Sequence, residues 1–65
     1  MKTPANQIAT FINPDLGVAS TVTQLKNGYA VTLLDTDAET VMATRLYPAS
    51  LLDQAVSYAK TLANV

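Results

Sequence analysis

The sequence contains no cysteine and no histidine, and only two of its 65 residues are glycine. The absence of cysteine excludes a disulfide framework and a thiolate zinc site. A nucleophile–base pair would have to come from serine, threonine, lysine, tyrosine or a carboxylate. No serine or threonine lies in a nucleophile-elbow motif, and two glycines are too few for a phosphate-binding loop. We therefore predict a non-catalytic protein with no metal and no cofactor.

Charge is also scarce. Charged residues make up 14% of the chain, against about 25% in a typical domain. The net charge of −1 argues against a strongly charged partner of either sign. Apolar residues reach 49%, which is enough for a folded core. Low charge on a small domain favours association, so we expect a homodimer.

Long apolar runs are missing as well. No run approaches the roughly 20 residues that a membrane-spanning helix needs. The segment Met1 to Asn6 lacks the apolar core of a signal peptide. We expect a single domain over residues 1–65, located in the cytoplasm and without a membrane partner.

The sequence around Asn27-Gly28 predicts a β-hairpin. Asn-Gly between β-forming residues is typical of a type I′ turn, which needs positive φ at both central residues. The flanking strands are Val18 to Lys26 and Tyr29 to Leu34. A loop from Asp35 to Glu39 then leads to a third β-rich segment, Thr40 to Tyr47. We predict a three-stranded antiparallel meander.

The C-terminal segment predicts an amphipathic helix. Ser50 followed by Asp53 resembles a capping box, although Pro48 at the first helical position is an alternative start. One apolar stripe of helical period follows, and its members are Leu51, Leu52, Ala55, Val56, Ala59, Leu62 and Ala63. The small alanines would let this helix lie close to the sheet. The fold class is therefore α+β, with a β-β-β-α order.

A two-residue turn at Asn27-Gly28 pairs Lys26 with Tyr29 and sorts the strand residues by face. The side that we expect the helix to cover, the helix-facing side, carries Val22, Tyr29, Val31, Leu33, Val41, Ala43 and Arg45. The opposite side, the outer face, carries Thr21, Thr23, Leu25, Ala30, Thr32, Leu34, Met42, Thr44 and Leu46.

The N-terminal segment is ambiguous. Thr3 as N-cap and Pro4 at the first helical position favour a short helix. The apolar residues Ala5, Ile8, Ala9 and Ile12 have the spacing of that helix. The alternative is a strand over Gln7 to Ile12. We favour the helix, which ends at Asn13-Pro14.

Two groups of charged residues are candidate sites. Asp35, Asp37 and Glu39 alternate in a loop, as carboxylates that bind Ca²⁺ do, but the sequence lacks the glycine and glutamate of an EF-hand. We therefore interpret them as turn residues. Lys26, Tyr29 and Arg45 form one row in the predicted register, which makes them a candidate nucleic-acid contact. The alternative is a cation–π cluster at the edge of the core.

The outer face is the most informative feature. Leu25, Leu34, Met42 and Leu46 lie there among threonines, and one helix cannot cover both sides of the sheet. Either the N-terminal residues Ile8, Phe11 and Ile12 fold over this face, or it is an interaction surface. Homodimerisation through the face or through an edge strand would satisfy the second alternative.

The segments NGYAVTLLD and SLLDQAVSYAKTLA, with a strand between them, resemble the β-β-β-α modules of HicB-like antitoxin domains over Lys26 to Ala63. The proline-rich segment that those domains carry after the second strand is missing here. The resemblance implies a small regulator associated with nucleic acid. Compact β-β-β-α proteins are also common among phage-encoded inhibitors.

The function that these observations favour is a dimeric protein-interaction module, a regulator or inhibitor encoded by a phage or mobile element, which acts by binding another protein. The alternative is a nucleic-acid-associated regulator of the HicB-like type.

Overall fold

A computed structural model describes residues 6–65 as a four-stranded antiparallel sheet with one α-helix packed on it. The strands are β1 (Gln7–Asn13), β2 (Val18–Leu25), β3 (Gly28–Asp35) and β4 (Thr40–Pro48). A 3₁₀ turn, Ala49–Leu51, leads into α1 (Leu52–Ala63). The strands lie side by side in chain order, as in a meander. The α+β class and the C-terminal helix are confirmed, whereas the number of strands is four instead of three.

The additional strand, β1, replaces the predicted N-terminal helix. Its residues alternate between half-buried and exposed positions, which is the pattern of a strand. It pairs with β2 from Gln7 to Asn13, so the backbone groups on that edge of β2 have partners. The alternative interpretation as a strand is therefore the correct one. The predicted helix start at Thr3-Pro4 lies outside the described residues.

The β2–β3 hairpin differs from its predicted register by two residues. Leu25 pairs with Gly28, so Lys26 and Asn27 form the turn. Neither Asn27 nor Gly28 has positive φ, and the type I′ prediction is wrong. Gly28 lies in the strand, where an added Cβ would be 2.1 Å from the carbonyl oxygen of Tyr47. A shift of two residues keeps every side chain of these two strands on its predicted face.

The pairing of β3 with β4 is shifted as well, and it contains a bulge. Val31 pairs with Arg45 instead of Ala43. Between the pairs Leu33–Ala43 and Leu34–Val41, Met42 is the additional residue, so that Val41 and Met42 together oppose Leu34. Val41, which was predicted on the helix-facing side, is instead 57% exposed beside Leu34.

The core lies between the sheet and the alanine side of α1. Ala55 and Ala59 are fully buried against Val22 and Val31, as the small residues in the helical stripe predicted. Ser20 is fully buried among them, and its hydroxyl donates a hydrogen bond to the carbonyl oxygen of Ala59. The buried serine therefore has a partner and ties β2 to the middle of the helix.

The helix ends differ from the predicted caps. The α-helix begins at Leu52, and no side chain caps its first turn, so the Ser50–Asp53 capping box is wrong. Pro48 is the last residue of β4 and not the first of the helix. At the other end, Asn64 adopts the left-handed conformation with φ of 59°. Its amide and that of Val65 donate to the last helical carbonyls, which closes the helix in a Schellman-type motif.

Candidate interaction surface

The outer face of the sheet has no cover among residues 6–65. Helix α1 packs against the helix-facing side, where Ser20, Val22 and Val31 point. The expected cover, the N-terminal segment, is instead an edge strand of the same sheet. Phe11 packs toward the helix, whereas Ile12 is 62% exposed on the outer face. The described part of this segment therefore enlarges the outer face and does not shield it.

A row of four threonines crosses the middle of the outer face, with one residue from each strand. Thr10 pairs with Thr21, Thr21 with Thr32, and Thr32 with Thr44. Neighbouring strands are about 4.8 Å apart, so the four hydroxyl groups form a regular line. A hydroxyl can both donate and accept a hydrogen bond, so the row offers polar contacts of either kind. The hydroxyl of Thr10 already accepts a hydrogen bond from the side-chain amide of Gln7.

Apolar residues lie on both sides of this threonine row. The first apolar row crosses the sheet beyond it, and its members are Ile12, Ala19, Leu34, Val41 and Met42. The second apolar row lies on the other side, and its members are Ile8, Ala30 and Leu46 together with Thr23. Gln7 pairs with Thr23, and Ile8 is the additional residue of a bulge between Gln7 and Ala9, as Met42 is in the bulge of β4.

The four predicted interaction residues therefore form two groups. Leu34 and Met42 belong to the first apolar row, and Leu46 belongs to the second. Leu25 lies beyond Leu46, in line with Gly28 and Pro48 at the end of the sheet. The threonine row separates the two groups, which the predicted register did not show.

The outer face carries no charged side chain among residues 6–65. The strand positions of Asp35 and Arg45 alternate onto the helix-facing side. The other charges lie in turns or on α1, and they are Asp15, Lys26, Asp37, Glu39, Asp53 and Lys60. Removing an uncharged surface from water costs little free energy, because its polar side-chain groups are threonine hydroxyls and the amide of Gln7, which already donates to the hydroxyl of Thr10.

The predicted row of Lys26, Tyr29 and Arg45 is not formed in the observed register. Tyr29 pairs with Gln24 on one side and with Tyr47 on the other. The Arg45 guanidinium lies 5.5 Å from the ring centroid of Tyr47 and 5.3 Å from that of Tyr58. Arg45 thus forms the cation–π cluster of the alternative interpretation, although with other tyrosines than Tyr29.

Lys26 and Tyr29 do share a shallow depression of about 440 Å³ at the end of the sheet. Leu25 and Leu46 line it on the side of the outer face, and Tyr47 and Pro48 complete the wall. Gly28 lies among the lining residues. The lining of this depression is mainly apolar, with Lys26 and Asn27 of the turn at its border, so it adjoins the second apolar row at the end of the sheet.

The acidic loop between β3 and β4 uses its first carboxylate to form the turn. Asp35 Oδ1 accepts hydrogen bonds from the amides of Asp37 and Ala38, at 3.0 and 3.1 Å. Glu39 has φ of 53° and returns the chain to β4. Within residues 6–65, no three acidic side chains approach one another closely enough to hold a metal ion.

No family model, curated protein or solved structure matches this chain. The resemblance to HicB-like domains over Lys26 to Ala63 therefore stays at the level of pattern. Within the described part of the chain, no helix has the length and apolar character required to span a bilayer.

Several residues of the outer face were missing from the sequence-based prediction. The favoured prediction assigned Thr10 and Ile12 to a helix, and the alternative strand from Gln7 to Ile12 was not assigned a place in the sheet. The alternation of β-branched residues at Ile8, Thr10 and Ile12 is the signal that could have placed them there. The threonine row depends on strand register, which local sequence does not determine.

Proposed function

We propose that this protein is a non-catalytic interaction module that acts by binding a protein through the outer face of its sheet. One observation carries the proposal: a whole side of a four-stranded sheet is uncharged, and no element of residues 6–65 covers it. Ile12, Val41, Met42 and Leu46 are each more than half exposed there. Exposed apolar rows on an uncharged surface are typical of protein–protein contacts.

A protein surface fits this face better than a nucleic acid does. Nucleic-acid binding depends on cations that neutralise phosphates, and the outer face offers none among the described residues. The nearest cations are Lys26 in the β2–β3 turn and Arg45, whose guanidinium is already stacked against two tyrosines. A nucleic-acid-associated regulator therefore has less support from the arrangement of these side chains.

A photo-crosslinking experiment in cells that express the full chain tests this proposal. A benzophenone amino acid replaces Leu46, which is 69% exposed and tolerates a large side chain. A matched control places the same group at Ser57, which is exposed on the far side of α1. We expect a discrete adduct from position 46 that proteases remove and nucleases do not, and none from position 57.

A second substitution makes the readout specific to the surface. Met42→Asp adds a charge in the first apolar row, where the side chain is 55% exposed and a change hardly affects the core. We expect this change to remove the adduct at position 46, because a carboxylate would lose its water in the interface. Equal adducts from positions 46 and 57, or an adduct that Met42→Asp leaves intact, would contradict the proposal.

A further inference from the structure

We infer that the protein bound at the outer face is a second copy of this chain, stacked face to face with the two threonine rows opposed. This inference rests on the proposed function, and it names the partner. Three observations support it. The outer face carries no charged side chain among residues 6–65, its threonine and apolar rows are arranged symmetrically, and both edge strands contain irregularities.

The charge distribution permits self-association. When a surface binds its own copy about a two-fold axis, any charge close to the axis faces a charge of the same sign, which is unfavourable. The outer face has no charged side chain in the described part of the chain, so stacking brings no like charges together. Threonine hydroxyls, in contrast, complement themselves because each one both donates and accepts.

The rows are complementary to themselves as well. A two-fold axis along the threonine row would place the first apolar row of one copy over the second apolar row of the other. Leu34 would then meet the small Ala30 of the second copy, and Met42 would meet Leu46. On the central strand β3 a large side chain would thus lie over a small one, and on the edge strand β4 two large apolar side chains would lie next to each other. Side chains of two packed sheets interdigitate in this way.

The sheet edges favour stacking over edge-to-edge pairing. Both edge strands contain a bulge, next to Ile8 in β1 and at Met42 in β4. Bulges interrupt the row of free backbone groups that a new strand would need. Pro48, which has no N–H group, ends β4. Most of the exposed apolar side chains belong to these edge strands, but their positions in the pairing place them on the outer face.

The available area predicts a reversible dimer. Four strands that are about 4.8 Å apart and eight residues long give a face of roughly 19 by 26 Å, or about 500 Å². If the faces are treated as flat, two copies would bury about 1,000 Å² in total, which is near the lower limit for specific complexes. We therefore expect association that depends on protein concentration.

The test is the mass of the purified full chain in solution, measured by sedimentation or light scattering over a wide concentration range. We expect the wild-type mass to rise from one chain to two. Thr32→Asp places a charge at the centre of the threonine row and should weaken the dimer at least tenfold. Ser57→Asp, with the same charge on the helix, should leave association unchanged. Circular dichroism checks that both variants retain the fold.

A crosslinking measurement identifies the face. The chain has no cysteine, so Thr32→Cys introduces the only thiol. Packed sheets lie about 10 Å apart, which is too far for a disulfide but within the range of a short bismaleimide. We expect covalent dimers from Thr32→Cys and none from Ser57→Cys.

The outcomes separate this inference from the proposed function. A dimer that persists in Thr32→Asp, or the absence of a crosslink in Thr32→Cys, would overturn stacking through this face. A wild-type monomer at every concentration would overturn the second copy as the partner, while an adduct at position 46 to a different protein would still support an interaction module. A monomer without any such adduct would overturn both.

Discussion

Gly28 lies where β3 passes closest to the end of β4. An added Cβ would be 2.1 Å from the carbonyl oxygen of Tyr47 and 3.2 Å from its carbonyl carbon. Both atoms belong to the backbone, so no side-chain rotation can relieve the contact. The glycine is therefore required for the close approach of two strands, and not for the turn that the sequence suggested.

We predict that Gly28→Ala lowers the free energy of unfolding by about 1–3 kcal/mol or more, because β4 must move away. Urea denaturation at a fixed protein concentration measures this. Gly17→Ala is the comparison, since Gly17 has φ of +67° and its new Cβ would meet only the side chain of Asp37. The left-handed conformation costs a residue with a side chain about 1–2 kcal/mol. A Gly28→Ala variant as stable as the wild type would contradict the close approach.

Asn13 connects three parts of the fold with one side chain. Its Nδ2 donates to the carbonyl oxygen of Ala63 at 2.8 Å, and its Oδ1 accepts from the amide of Leu16 at 3.2 Å. The first bond satisfies a carbonyl at the end of α1, and the second holds the β1–β2 turn. The end of β1 is thereby fixed to the end of the helix.

Asn13→Ala should therefore cost about 1–2 kcal/mol of stability through the loss of these two hydrogen bonds. Asn6→Ala is the control, because the side chain of Asn6 makes one hydrogen bond within residues 6–65, an exposed one to the carbonyl oxygen of Gln24. Denaturation curves should show the smaller change for Asn6→Ala. Equal effects of the two substitutions would mean that the bond to Ala63 does not stabilise the helix end.

At the level of elements, α1 is held by alanines. Ala55, Ala59 and Ala63 are fully buried, and Ser20 occupies the space opposite Ala59. The helix lies close to the sheet because none of these positions carries a long side chain. The apolar stripe in the sequence was sufficient to predict which side of the helix would be buried.

The close contact makes Ala59→Leu a sensitive substitution. The larger side chain would push the helix away from Val22 and Val31, and we expect a loss of about 1–3 kcal/mol from overpacking. Ser57→Leu, with the same new side chain at an exposed position of α1, should change stability by less than about 0.5 kcal/mol. Thermal denaturation of the two variants at equal concentration gives the comparison. Similar melting temperatures would show that the helix is not packed closely at Ala59.

Strand β1 shows where sequence-based prediction fails. The apolar residues of this segment fit a helical spacing and, through Ala9 and Phe11, a strand spacing as well. The strand is formed because it pairs with β2 and places Phe11 beside the helix, where Lys60 lies 5.8 Å from its ring. Both contacts are distant in sequence, and the local alternation that favours a strand competed with the helical spacing of the same segment.

Strand register is the second feature of the fold that sequence-based prediction did not determine. The period of two residues correctly predicted the face of most strand residues, which include Val22, Val31, Leu25 and Leu46. It could not distinguish registers that differ by two residues, because each gives the same faces. The bulge at Met42 then moved Val41 to the other side. The outer-face residues of β2, β3 and β4 were therefore predictable apart from Val41, whereas the residues of β1 and the threonine row across the face were not.

On the scale of the whole molecule, the described part of the chain is a thin slab with Cα extents of 32 × 27 × 15 Å. One wide side is covered by α1, and the other is the bare outer face. A chain of 65 residues buries only about 60% of its unfolded surface, so its own core is small. A second copy on the outer face would convert two layers into four and bury Leu34, Met42 and Leu46 without any change in the chain.

If stacking contributes to stability in this way, the melting temperature must depend on protein concentration. For a dimer that unfolds to two chains, each tenfold increase in concentration adds about 1.4 kcal/mol per dimer, or about 0.7 per chain. In a domain of this size, that corresponds to a rise of about 3–6 °C. In Thr32→Asp the melting temperature should begin to rise only at a protein concentration at least tenfold higher, and below that concentration it should match that of the dilute wild type. A wild-type melting temperature that is constant over three decades of concentration would mean that the small core between the sheet and α1 sustains the fold alone.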